Sequence, residues 1–203
     1  MYRDKYSSVL EMKKVCLAKN GFTLIELMVT VALIVIMLML ATPSMITFQR
    51  NAELTSFANS MLAGINTARG EAMKRGRYAM VVPTDGTNWN NGWVVFVYVR
   101  VNTTTWDRAA TDINILTREA SPSYLTITPK PNTPASDTPP YIMFDASGYS
   151  KSKAGAFGAL NLTIARNDVA SSDFSQTRRV VIASTGRVKI CTPTSATDAN
   201  CLP

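Results

Sequence analysis

KNGFTLIELMVTVALIVIMLMLA, residues 19–41, decides how the rest of the chain is read. From Phe22 to Gln49 the only ionisable side chain is Glu26. The aliphatic run Leu27–Ala41 with its flanks reaches the roughly 20 residues needed to cross a ~30 Å hydrocarbon core. Ahead of it stand Arg3, Lys5, Lys13, Lys14 and Lys19 against Asp4 and Glu11, which is +3 of the chain's formal +7. The positive-inside tendency keeps that end in the cytoplasm and exports the remainder. An ordinary secretory cut after the apolar run fits poorly, because Met39 occupies a position where a small residue is wanted.

The boundary that stands out lies before the run. Gly21 is followed by the aromatic Phe22, then by apolar residues with one acid, Glu26, in fifth place after the glycine. This pattern resembles the prepilin signal shared by type IV pilins and type II secretion pseudopilins. The resemblance implies that a membrane prepilin peptidase cuts between Gly21 and Phe22 and N-methylates Phe22. A carboxylate at the edge of hydrocarbon is costly unless paired. By resemblance, the partner of Glu26 is the free amine at Phe22 of a neighbouring subunit, and the pair sets axial register. The alternative is that Glu26 snorkels to the headgroups.

Beyond the apolar run the helical pattern continues. Leu54, Phe57, Met61, Ile65, Ala68 and Ala72 recur at spacings of three and four, one apolar stripe. Gly76 after Lys74-Arg75 reads as a C-cap. A helix from Phe22 to Arg75 would extend about 80 Å, and Pro43 inside it predicts a kink or local melting. The expected division is a leader at 1–21, a long helix at 22–76, and a β-rich domain at 77–203. The helix itself divides into a transmembrane part at 22–48 and an amphipathic part at 49–76.

After Gly76 the pattern turns to β. Expected strands are Tyr78–Val82, Trp93–Val99, Ile113–Glu119, Tyr124–Thr128, Tyr141–Phe144, Leu160–Ala165, Arg179–Ala183 and Arg187–Cys191. PKPNTPASDTPP (129–140) and SKSKAGAFG (150–158) read as loops. Asp85 and Asp145 read as turn carboxylates, and Ser147-Gly148 and Thr185-Gly186 as plain turns. The fold class is α+β, a long helix against an antiparallel β-sandwich-like globule, as in type IV pilin-like proteins.

INTARGEAMKRGR (65–77), WNNGWVVFV (89–97), YIMFDASGYS (141–150) and RRVVIASTGRVKIC (178–191) resemble successive blocks of the GspH/FimT branch of that family. The branch holds minor pilins and the minor pseudopilin of type II secretion. Membership implies a single-pass protein of the bacterial inner membrane with its C-terminal domain in the periplasm. Its partners would be prepilin peptidase and other minor and major pilins in a heteromeric filament.

The chain has no histidine, which excludes Ser-His and Cys-His catalysis and any His-ligated metal. No cofactor, metal site or catalytic constellation is expected. Of the three cysteines, Cys16 lies in the leader. Cys191 and Cys201 remain as a pair, most simply a disulfide in an oxidising compartment, with two free thiols as the alternative.

Arg178, Arg179, Arg187 and Lys189 fall together without an acid among them, and a hairpin turn at Ser184-Thr185-Gly186 would gather all four into one patch. Competence members of the branch carry a Gly-Arg-x-Arg motif here and are implicated in capturing double-stranded DNA. Gly186-Arg187-Val188-Lys189 resembles that motif with lysine in the last place. Lysine keeps the charge and loses the bidentate fork. The bland reading is a solvated basic strand edge.

Overall fold

The computed structural model describes residues 21–100, 106 and 108–203, with the side chains of residues 40–44 outside the description. The leader through Asn20, Cys16 included, and the Pro43 side chain therefore lie outside the described residues. One helix, α1, spans Leu24–Arg75. It begins two residues after Phe22 because Thr23 takes the N-cap. The Thr23 Oγ1 accepts the Glu26 N–H at 3.2 Å and its carbonyl accepts the Leu27 N–H at 3.1 Å. At the other end Gly76 adopts φ 63° and the Arg77 N–H reaches back to the Ala72 carbonyl at 3.1 Å, closing a Schellman turn. The helix passes Pro43 without interruption, so the local melting expected there is not found.

The chain divides into two compact units, one ending at Met45 and one spanning Ile46–Pro203. In the first, Leu24–Met39 exposes its side chains on every side of the helix, from Leu24 at 76% to Val35 at 43%. Among the described residues no helix is long and apolar enough to cross a membrane. The crossing expected over 22–48 includes residues 40–44, whose side chains lie outside the description.

The second unit holds nine strands among the described residues. They are β1 Ala79–Pro83, β2 Trp93–Val97, β3 Ile113–Arg118, β4 Leu125–Pro129, β5 Ile142–Phe144, β6 Ser150–Lys151, β7 Leu160–Arg166, β8 Thr177–Ile182 and β9 Val188–Cys191. They form two antiparallel sheets, ordered β3-β2-β1-β5-β6 and β4-β7-β8-β9. Eight occupy the expected stretches. The ninth, β6, lies inside a stretch expected as loop and is only two residues long.

The C-terminal part of α1 packs on both sheets. Leu54, Ala58, Met61, Ile65, Ala68 and Ala72 are fully buried against Val81, Val95, Ile142, Leu162, Ile164 and Val180. The spacing 4-3-4-3-4 keeps one face inward over five turns. Ala58 rather than Phe57 sits at the centre of that face, because two sheets close on the helix and leave space for a methyl. Phe57 lies at the rim, edge-on to Trp93 with ring centroids 5.3 Å apart. Gly64 admits the same indole, since a Cβ there would lie 2.9 Å from Trp93 Nε1.

The unbroken apolar run of β2 has a structural reason. Its other face is covered by a second cluster of Met80, Val94, Phe96, Tyr98, Tyr141 and Met143, with Trp106 against it. A strand buried on both sides loses the alternation of a half-exposed one.

Candidate functional site

At the start of α1, Gly21 and Phe22 precede the helix, exposed, and Glu26 stands in its first turn. Thr23-Leu24-Ile25-Glu26 has the Thr-x-x-Glu spacing of a capping box, with an acid at the positive end of the helix dipole. Glu26 therefore has a local reason for its position besides any partner subunit. The Thr23 cap is a functional detail that the motif reading passed over, although the spacing announces it.

The second candidate region is the β8–β9 hairpin and the segment that follows. Its turn forms as expected, with the Gly186 N–H on the Ala183 carbonyl at 2.8 Å and the Ala183 N–H on the Arg187 carbonyl at 2.9 Å. Gly186 takes φ 79°, and a Cβ there would lie 1.8 Å from the Gly148 carbonyl oxygen. Arg69 of α1 ties the two turns together, donating from Nε to Gly148 at 3.0 Å and from Nη2 to Thr185 at 3.4 Å. The glycine of the Gly-Arg-Val stretch thus serves turn-on-turn packing. Asp85 and Asp145 cap turns as expected. The N–H groups of Asn88 and Thr87 and the Asn91 amide hold the Asp85 carboxyl down at about 2. Asp145 accepts from Ser147 and Tyr149.

The four cations do not gather into one patch. Successive strand residues face opposite sides of a sheet, and Arg178 and Arg179 are successive. Arg178 turns toward α1, where Nη2 meets Asn51 Oδ1 at 3.3 Å and Thr55 Oγ1 at 3.2 Å, and Nη1 takes the Ser175 and Thr177 carbonyls. Burial pushes its pKa down. Arg179 faces the other way and is only 7% exposed, with Nη1 on the Cys201 carbonyl at 3.4 Å and Nη2 on the Ala196 carbonyl at 3.3 Å. Arg187 and Lys189 alone share an accessible face. Arg187 is exposed, and the half-buried Lys189 donates from Nζ to the Asn200 carbonyl at 3.0 Å. With Val181, Ala183 and Pro203 they border a hollow of about 190 Å³.

What holds the tail over that face is the Cys191–Cys201 disulfide, which closes a strap from the end of β9. Asp198 organises the strap from within, accepting the Thr194 N–H and hydroxyl and the Asn200 N–H. Those bonds, the Thr194 N–H foremost, lower its pKa.

An ionic clamp that the sequence reading did not identify lies at the far end of β7. Asp168 receives two bonds from Arg166, Nε to Oδ1 at 2.9 Å and Nη2 to Oδ2 at 2.7 Å, and a third from Arg50 of α1 at 2.5 Å. Arg166 also donates to the Thr47 carbonyl and to Gln176 Oε1. The paired guanidinium of Arg166, then that of Arg50, hold the Asp168 carboxyl far below the usual carboxylate range. Among the described residues no three His, Cys, Asp or Glu side chains converge as metal ligands.

The comparisons with known proteins fit this fold. The family model described as type II transport protein GspH matches residues 58–186. The prokaryotic N-terminal methylation motif matches residues 16–42. No curated protein sequence matches the chain. A crystal structure of the type IV minor pilin FimU of Pseudomonas aeruginosa PAO1 is similar with a TM-score of 0.52 at 18% identity, covering 71% of this chain and 92% of that one. The minor pseudopilin EpsH from the type 2 secretion system of Vibrio cholerae gives a TM-score of 0.46 at 13% identity, covering 70% and 99%.

Proposed function

Since the chain belongs to the GspH family of type II transport proteins, we propose that it is a minor subunit of a type IV pilus, cut by prepilin peptidase after Gly21 and built into the filament through α1. The carrying observation is the aliphatic surface of Leu24–Met39, exposed on every side of the helix. A surface of that size left in water costs far more than a folded domain can spare. In this reading residues 22–48 form the part held in the inner membrane before assembly, with the β-unit in the periplasm. Neighbouring subunits replace the lipid afterwards. The role is structural, with no bond made or broken by the chain itself.

Glu26 supplies the specificity by pairing with the methylated amine at Phe22 of the next subunit, where a low dielectric strengthens the attraction. Glutamine at this position would keep a capping side chain and lose the charge. Glu26→Gln should therefore be processed normally and yet be missing from sheared filaments. Incorporation at the wild-type level would overturn the pairing and leave Glu26 as a helix cap.

Arg187 and Lys189 support a second role, contact with double-stranded DNA during uptake. Two accessible cations predict a weak, sequence-independent affinity that falls by about 1.8 log units per tenfold salt. Titration of the chain in detergent with duplex DNA at two salt concentrations tests this. A slope unchanged by Arg187→Ala plus Lys189→Ala would overturn it. The alternative machine is a type II secretion filament. A deletion strain that keeps its surface pili and loses exoprotein export would favour that machine instead.

A further inference from the structure

Across the outer face of the four-stranded sheet runs one row of direct cross-strand neighbours: Thr128 on β4, Thr163 on β7, Arg179 on β8 and Cys191 on β9. The strap anchored at Cys191 by its bond to Cys201 covers the β8–β9 end of this row. It does not close the other end. A cavity of about 230 Å³ remains there, walled by Thr128, Lys130, Asn161, Thr163 and Arg179, with Ala196 and Leu202 of the strap on the remaining side.

The charge arrangement in this cavity is incomplete. Arg179 is 93% removed from solvent, since only 7% of it is exposed. Its two bonds go to neutral carbonyls at 3.3 and 3.4 Å, and its Nε–H is buried without any acceptor. A buried guanidinium whose hydrogen bonds go only to neutral carbonyls recovers part of its desolvation cost and leaves room for a hydrogen-bonded anion. Asp198 of the strap feels the charge of Arg179, but its oxygens are taken by Thr194 and Asn200 and it makes no hydrogen bond to the guanidinium. No carboxylate is among the cavity's walls, whereas a second cation and two hydroxyls are.

We propose that this cavity binds a small tetrahedral oxyanion, phosphate or sulfate, with Arg179 as its principal ligand and Lys130, Thr128 and Thr163 completing the shell. Hydrogen bonds between a guanidinium and an oxyanion are short and about twice as strong as neutral ones. Donors on three strands, Thr128 of β4, Thr163 of β7 and Arg179 of β8, together with Lys130, suit a tetrahedral ion better than a planar one. The bound ion would tie β4, β7 and β8 to the strap and give Arg179 a hydrogen-bonded anion. The cavity lies on the same face of the sheet as Arg187 and Lys189, neither of which walls it, and the proposal does not rest on the filament reading.

The test uses the full chain in detergent, oxidised, with inorganic phosphate titrated against chloride of equal ionic strength. Thermal unfolding and phosphorus NMR line width are the readouts. Phosphate should raise the unfolding temperature saturably and broaden its own resonance. Lys130→Gln and Thr163→Val, which leave the strap's own bonds intact, should each weaken binding several-fold. Arg179→Lys should weaken it by about tenfold or more, since lysine loses the fork. Arg187→Ala should leave it unchanged. The proposal is overturned if phosphate acts no differently from chloride, or if binding survives both Lys130→Gln and Thr163→Val undiminished. Acetate binding as tightly as phosphate would overturn the tetrahedral assignment.

Discussion

Ile34 and Ile65 are the same residue type on one helix, yet Ile34 is 55% exposed and Ile65 is fully buried. The difference lies in what each segment has to pack against. From Leu54 onward the helix meets two sheets of its own chain, and polar residues occupy the side that faces away. Over Leu24–Met39 the exposed aliphatic residues ring the helix, which no single sheet could cover. A helix apolar all round requires a partner on every side, either lipid or other helices. One half of α1 is thus a folding element and the other an assembly element.

Identical truncations should separate the two halves. Ile65→Ala removes three buried carbons between the helix and the sheets and should cost about 4 kcal/mol of unfolding free energy in the Ile46–Pro203 unit. Ile34→Ala should leave that quantity unchanged, within about 0.5 kcal/mol. Urea unfolding of the chain in detergent, followed by tryptophan fluorescence, measures both. Equal effects would erase the distinction between the halves.

The Asp168 clamp sharpens the comparison, since Arg50 and the Thr47 carbonyl fasten the folding half of the helix at its beginning. Asp168→Asn keeps one acceptor and removes the carboxylate hydrogen-bonded to the buried Arg166, at a cost of about 2 kcal/mol by the same assay. The pH dependence follows from the direction of the shift. A carboxylate whose folded pKa lies below its unfolded value of about 3.9 stabilises the fold above that pH and ceases to as pH falls toward the folded value. Wild-type stability should therefore decline below about pH 4, and Asp168→Asn should flatten the decline. Asp85, held at about 2, adds to the same acid window.

The strap should have an effect of similar size. Cys191→Ser with Cys201→Ser opens a loop of separation 10 and should cost about 2 kcal/mol. The sheets should persist, because Arg179 and Lys189 still hold the tail by its carbonyls. Near-normal far-UV circular dichroism with a lowered unfolding midpoint is the expected result.

Much of this was legible from residue order. The strands announced themselves because β-branched and aromatic runs such as WVVFV have few other stable conformations between turns. The stripe on α1 was legible through its period, although Phe57 was counted in it and Ala58 was not, because a large side chain outweighs an alanine in any apolar count. The split of Arg178 from Arg179 follows from strand alternation alone, and the four-cation patch overlooked it. Other features were out of reach. Arg50 and Asp168 stand 118 residues apart, and no local pattern joins them. The two-residue strand β6 exists only because Ser150 and Lys151 lie beside β5. The cavity at Arg179 needs the strap folded back over the sheet before it exists.

Everything assigned to the assembly half begins with the residue at its head. Mass spectrometry of the mature chain, recovered from cells that carry prepilin peptidase, reads that residue directly. The account predicts a polypeptide beginning at Phe22 and heavier by one methyl group. A mature chain that still carries Gly21, or that begins beyond Glu26, would contradict it.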